Sequence, residues 1–228
     1  MPVGSLTSAS MRASICSMAP TSIRMETPKL CWGADDIGTY RTTITNLWRV
    51  WKMPLRPEGI HIESRRLSIR PFSASDADAT FPCITPSLTR WMAWEPPIDR
   101  DEFDRIWQAW LSARAEGTDF VFAIRERDNG GFLGLTGLHH VKVASAVLGI
   151  WIREDRHGEG IGSEAVGLVA AWASSELGIE RFTYPVAEEN SRSRRIAESL
   201  GGVIVERRET PKYKSVVYQI PQQSKSAE

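Results

Sequence analysis

The chain has 228 residues, 42% of them hydrophobic and 25% charged, which suits one domain with extensions or two small domains. Its 28 basic and 28 acidic side chains cancel to a formal net charge of zero, so nothing points to a general nucleic-acid binder. Cys16, Cys31 and Cys83 have no metal-ligand spacing and argue against a disulfide framework, which suits a cytoplasmic protein, and no apolar run is long enough to cross a membrane.

Residues 1–53 differ in composition from the remainder. Met1 to Met25 is rich in Ser, Thr and Ala, carries Arg12 and Arg24, and has no acid before Glu26. That composition resembles a transit peptide, but an upstream read-through or a disordered arm is the plainer expectation, and Met53 is one of several candidate starts. The regular part is expected over residues 54–221, with 222–228 as a polar tail. Leu67 and Ile69 alternate with Ser68 and Arg70, which predicts a strand. Ser73 to Asp78 has good N-cap types for a short helix, which Pro82 ends or kinks. Thr89 to Pro97 reads as an aromatic loop closed by two prolines. Asp99 and Glu102 form a near capping box for a helix whose Phe103, Ile106, Trp107, Trp110 and Leu111 share one face. Gly117 stops it.

Phe120 to Ile124 and Phe132 to His139 are predicted strands joined by an Asp128-Asn129-Gly130-Gly131 hairpin turn, and Val147 to Ile152 is a third. A helix is expected from Glu164 to Leu177, closed by Gly178. A strand over Phe182 to Val186, a helix from about Ser191 to Leu200, and strands at Val203 to Val205 and Ser215 to Ile220 complete the pattern. The expected fold class is α+β, a mixed and mostly antiparallel sheet with helices on both faces.

Between the third strand and its helix lies Arg156-His157-Gly158-Glu159-Gly160-Ile161-Gly162-Ser163. Glycines at alternate positions let a ligand approach the backbone, and the helix start adds unpaired N–H groups and the positive end of a dipole. This is an anion site, best suited to phosphate. No Lys-Ser or Lys-Thr follows the glycines, so it is not a P-loop. Gly160-x-Gly162-x-x-Ala165 fits a dinucleotide fingerprint, which keeps a nucleotide-dependent oxidoreductase as an alternative. Too few residues follow for the repeated strand–helix units of that fold, and Glu188 and Glu189, though at the distance of a ribose-binding carboxylate, sit in a loop-like Ala-Glu-Glu-Asn stretch.

The loop resembles the coenzyme A motif Q/R-x-x-G-x-G/A of the GNAT (general N-acetyltransferase) superfamily. His157 stands where Arg or Gln is usual, with Arg156 one place early. Further matches follow the order of the ribosomal-protein alanine N-acetyltransferase branch. They are Arg66-Leu67-x-Ile69-Arg70-Pro71 with Asp76, the Thr89 to Pro97 loop, Gly134-Leu-Thr-Gly-Leu-His139, Gly149-Ile150-Trp151-Ile152, and Asn190-x-x-Ser193 before Leu200-Gly201. Two places depart from the pattern: Ala197 stands where many members carry a thiolate-protonating Tyr, and Gly202 replaces the usual aromatic.

The resemblance implies direct transfer of an acetyl group from acetyl-CoA to an amine, either a protein N-terminus or a small molecule. The implied cofactor site is Ile150, Trp151, Ile152, His157, Gly158, Glu159, Gly160, Ile161, Gly162, Ser163 and Asn190. A backbone amide of Ile150–Ile152 would hold the thioester oxygen as it gains charge. With Ala197 inert, Ser193 becomes the donor to the leaving sulfur; its plainer role is a helix cap. Glu95, His139, His140 and Glu188 stand at strand ends or in loops as candidate bases. The resemblance puts Glu95 in the substrate-side loop, where its carboxylate could orient a cationic amine. His139-His140 has no third ligand at metal spacing. A free α-amine titrates near ~8 and a lysine near ~10.4, so an α-amine needs less help to become neutral. A non-catalytic acyl-CoA-binding module is the second alternative. No nucleic acid, no membrane, and a monomer or homodimer complete the expectations.

Overall fold

The computed structural model describes residues 59–142 and 145–224. The expectations for residues 1–53, and for the end of the polar tail, lie outside the described residues. The strands are β1 (Ile62–Glu63), β2 (Leu67–Pro71), β3 (Phe120–Glu126), β4 (Phe132–His139), β5 (Ala146–Ile152), β6 (Arg181–Ala187), β7 (Val203–Glu209) and β8 (Lys214–Pro221). The helices are α1 (Ala77–Thr80), α2 (Pro86–Thr89), α3 (Arg100–Glu116), α4 (Ile161–Glu176) and α5 (Ser191–Ser199).

Among the described residues the strands form one sheet in the order β1-β2-β3-β4-β5-β6-β8-β7. Every neighbouring pair is antiparallel except β5–β6. That exception follows from connectivity: parallel neighbours need a long crossover, and α4 supplies it. β5 and β6 pair only at Ala146↔Phe182 and Val147↔Thr183. Beyond Val147, β5 therefore runs on without a strand partner on that side, and the sheet opens.

Phe120 to Ile124 is apolar without a break because helices cover both faces of β3. Phe120, Phe122 and Ile124 join the core beneath α4, with Ile69, Leu148, Val166, Val169, Trp172 and Phe182. Val121 and Ala123 point the other way, into a second core with Phe72, Phe103, Leu135 and Trp151, against which Trp107 and Trp110 of α3 pack. The alternation is the period of two of a strand. Burying Phe122 completely is worth about 1.5–3 kcal/mol.

Several boundaries differ from the sequence expectation. The motif helix α4 begins at Ile161, three residues before Glu164, so Gly162 lies in its first turn. β7 extends to Glu209, through an Arg-rich stretch with no apolar signal, because β8 pairs with it along its length. β1 has only two residues and was too short to read. At Pro82 the α-helix has already stopped at Thr80 and the chain tightens into a 3-10 turn at Phe81–Cys83, in line with the end or kink expected there.

We propose that the segment from Pro54 onward, which forms a compact unit of its own, folds without the residues before it. A chain beginning at Met53 is expected to unfold in one cooperative step near the full-length midpoint. A broad or absent calorimetric transition would overturn this.

Candidate active site

At its carboxyl end β5 reaches Ile152, makes a 3-10 turn at Glu154–Arg156, and enters the glycine loop. Gly160 is the N-cap of α4 at φ 77°, in the left-handed region that a side chain disfavours. Having no side chain, it leaves the first amides of α4 without a capping acceptor. At Gly162 a Cβ would be crowded, 3.1 Å from Cδ1 of Ile196 on α5, which would have to give by a few tenths of an ångström. The helix start is therefore open toward the loop mouth and packed tightly behind it.

The loop's own arginines are braced internally. Arg156 donates to both carboxylate oxygens of Glu159, at 2.9 and 3.0 Å, and to Glu126 at 2.6 Å. Those hydrogen bonds, with Glu159 first, raise the Arg156 pKa, and the same bonds lower both carboxylates. Arg66 donates to Glu164 in the first turn of α4 and, at 3.2 Å, to the Glu159 carbonyl. His157 brings its Nε2 within 2.8 Å of the Ile152 carbonyl, which makes Nε2 the protonated nitrogen. These side chains hold the loop's shape; they are not free to meet an anion.

A cleft of about 940 Å³ opens where β5 and β6 part. One wall carries Ile150, Trp151 and Ile152; the floor is His157, Gly158, Gly160, Ile161, Gly162 and Ser163. α5 supplies Asn190, Ser193 and Ile196, and the α2 side supplies Leu88, Trp91 and Met92. The volume suits a large ligand, and the mixture of apolar walls with a bare helix start fits an acyl chain ending in phosphates. Arg192 and Arg195 of α5 also line it, and among the described residues neither is engaged in an ion pair. They are the cations available to an anionic ligand.

Of the residues expected to hold the cofactor or to act in catalysis, all line this cleft except Glu159 and Glu95; the further candidate bases His139, His140 and Glu188 do not line it either. Glu159 turns to Arg156, and Glu95 lies outside the lining, its exposed carboxylate 2.8 Å from Lys212 Nζ. Lys212 also donates to the Thr89 and Trp94 carbonyls, which ties the aromatic loop to the β7–β8 turn. Glu188 pairs with Arg207, away from any ribose role. The helix cap is Asn190, whose Oδ1 accepts from the Ser193 amide at 3.1 Å. Ser193 is thus not the cap.

The Ser193 hydroxyl meets the Tyr184 hydroxyl at 2.8 Å. Burial pushes the Tyr184 phenol up to about 12, so it stays protonated at neutral pH. Tyr184 can then donate to Ser193 Oγ and leave the serine proton turned to the cleft. Sequence reasoning missed Tyr184. It read as one more apolar strand residue, and only the packing of β6 under α5 brings the phenol to Ser193. The free cations Arg192 and Arg195 were missed too, though their spacing of three on one helix face was a usable signal.

A mostly antiparallel sheet excludes the doubly wound dinucleotide fold that Gly160-x-Gly162-x-x-Ala165 allowed. Solved structures share this architecture instead. The ribosomal-protein-S5-alanine acetyltransferase of Vibrio fischeri superposes with a TM-score of 0.64 at 13% identity, over 72% of this chain and 97% of that one. The spermidine N-acetyltransferase of Vibrio cholerae, solved with CoA and spermine, gives 0.62 at 16% identity, over 70% and 97%. In sequence, the chain is 26% identical over 143 residues to the uncharacterized N-acetyltransferase YoaA of Bacillus subtilis (strain 168), spanning 61% of this chain and 81% of that protein. The family model for the acetyltransferase (GNAT) domain matches residues 66–203, which take in strands β2 to β6, the glycine loop, Asn190 and Ser193. With fold, cleft and family model in agreement, the chain belongs to the GNAT acetyltransferase family.

Proposed function

We propose that this acetyltransferase moves the acetyl group of acetyl-CoA onto the α-amine of a peptide or protein N-terminus, by direct attack of the amine on the thioester. The observation that carries the reading is the cleft at the β5–β6 opening, with a bare helix start at one end and the Tyr184–Ser193 pair beside it. The phosphates of the bound cofactor would meet the amides at the start of α4, with Arg192 and Arg195 nearby. The edge of β5 beyond Val147 has no strand partner toward β6, so an amide of Ile150–Ile152 is free to meet the thioester oxygen. Ser193 gives a proton to the departing sulfur, and Asn190 holds the first turn of α5 in place.

The acceptor side favours a peptide over a polyamine. Arg90 stands exposed at the cleft with its guanidinium 4.9 Å from the Trp91 ring centroid, and Arg192 and Arg195 add positive charge. A polycation meets like charge there, whereas an N-terminus followed by acidic residues does not. An α-amine also needs less assistance than a lysine to lose its proton. The same reading makes the protein a cytoplasmic monomer or homodimer that acts without nucleic acid. Among the described residues no helix is long and apolar enough to cross a membrane.

The test is thiol release from acetyl-CoA across three acceptors: peptides with a free α-amine, the same peptides N-formylated but carrying a lysine, and a polyamine. The first group is expected to turn over fastest. Turnover confined to the polyamine would overturn the acceptor assignment. Acetyl-CoA binding with no turnover on any amine would instead favour a binding module.

A further inference from the structure

The cleft lining carries two carboxylates, Glu154, which accepts from the Thr85 and Ser87 hydroxyls, and Glu189, while Glu95 is held by Lys212 outside it. A carboxylate–imidazole pair lies one step further along the sheet. Nδ1 of His139 is 3.0 Å from Oδ1 of Asp119. An ionised carboxylate can only accept, so the neutral ring donates from Nδ1 and keeps its lone pair on Nε2.

The ring does not stand over its own strand position. It folds back along β4, and Nε2 lies 2.3 Å from where a Cβ on residue 137 would be, a place open only because residue 137 is glycine. Gly137 pairs across the sheet with Gly149, which also carries nothing and has open space above it. Next to Gly149 is Ile150, where the cleft lining begins. Strand neighbours lie about 5 Å apart and successive residues about 3.3 Å, so the imidazole sits roughly 6 Å from the Ile150 backbone. One amine nitrogen or one water spans that gap. The face is the right one too: Leu135, Gly137 and His139 alternate onto the side of Trp151, Leu88 and Met92, which form the acceptor wall.

We infer that His139, oriented by Asp119, is the general base that readies the acceptor amine. This rests on the acetyltransferase reading above. His139 Nε2 takes one proton from the acceptor ammonium, either directly or through the water. The freed lone pair on nitrogen attacks the thioester carbon and forms the C–N bond. Collapse breaks the C–S bond and sends its electron pair to sulfur. The sulfur takes its proton from Ser193, the amide nitrogen gives up its second proton to restore that hydroxyl, and His139 returns its own proton to solvent. Asp119 is a positioning residue, since it touches only the ring and, at 3.4 Å, the His140 amide.

The charged groups around the ring are few. Asp119 enters β3, Lys142 beyond β4 gives its Nζ to the Glu116 carbonyl at the end of α3, and His140 is the sequence neighbour. β5 brings only Val147 opposite His139. The pH dependence of the variants should therefore report the acceptor amine.

His139→Gln keeps a donor toward Asp119 but has no basic nitrogen. In thiol-release assays with an α-amine peptide, its kcat/KM near neutral pH is expected to fall about a hundredfold. The deficit should shrink as pH rises past the amine's own pKa near ~8, where the acceptor is already neutral. Acetyl-CoA affinity and the melting temperature should stay at wild-type values. Asp119→Asn, which keeps the ring but frees it to turn, should show a smaller deficit with the same pH trend, and it carries the test if the first variant does not fold. A deficit constant across pH, or none, overturns the role of His139 while wild-type turnover leaves the acetyltransferase reading intact. Wild type that releases no thiol from any amine overturns both.

Discussion

Replacing Ser193 with alanine should leave acetyl-CoA bound and remove most of the turnover. If the serine proton goes to the departing sulfur, the interaction strengthens only as thiolate charge develops. Its loss then lowers kcat and kcat/KM together and spares ground-state binding. The expected cost is about 10²–10⁴-fold in rate. Stability also changes, but for a separate reason. Asn190 remains to cap α5, while the buried Tyr184 hydroxyl loses its partner, which costs about 1–3 kcal/mol. Tyr184→Phe is the control: it removes the same hydrogen bond and leaves the serine proton in place. It should lose less turnover than Ser193→Ala. A Ser193→Ala enzyme with near-normal kcat, measured beside Tyr184→Phe, would reduce Ser193 to a structural partner of the phenol.

Gly160→Val should weaken acetyl-CoA binding most among single changes in the loop. The left-handed φ of 77° at this N-cap costs a side chain about 1–2 kcal/mol, and a β-branched one blocks the approach to the first amides of α4. Each charge-assisted hydrogen bond lost to phosphate is worth about 1.5–3 kcal/mol, or about ten- to a hundredfold in affinity. Calorimetric titration should show that loss, and the unliganded protein should melt about 2–8 °C lower. The structure thus adds a stability penalty that the glycine spacing did not foretell. Unchanged affinity would place the phosphates elsewhere.

How far the sequence carried depended on whether the signal was local. The hairpin turn at Asp128–Gly131, the Asp99 cap and the stop at Gly117 were legible because each is settled by neighbouring residues. The glycine loop and Asn190-x-x-Ser193 were legible as motifs, and both line the cleft. What could not be read was pairing across distance. Glu95 looked like a substrate-side carboxylate until Lys212, more than a hundred residues on, was found beside it. Arg156 stood one place early in the motif, and the sequence did not show that Glu126 on another hairpin and Glu159 share its guanidinium. Tyr184 and the fold-back of His139 over Gly137 depend on strand register, which composition does not encode.

The two residue pairs that join β5 to β6 have a consequence for how the protein breathes. Strands β1–β5 and strands β6–β8 are two hydrogen-bonded ladders with almost no ladder between them, held together chiefly by the side chains of α4 and the core beneath it. With one shared core beneath α4, the expected weak point is local: amides on the unpaired edge of β5 beyond Val147 should exchange ahead of those inside the two ladders. A cofactor lying in that seam touches both units at once. On the proposed binding mode it would act as mortar as well as reagent, stabilising the closed pair by RT ln(1 + [L]/Kd).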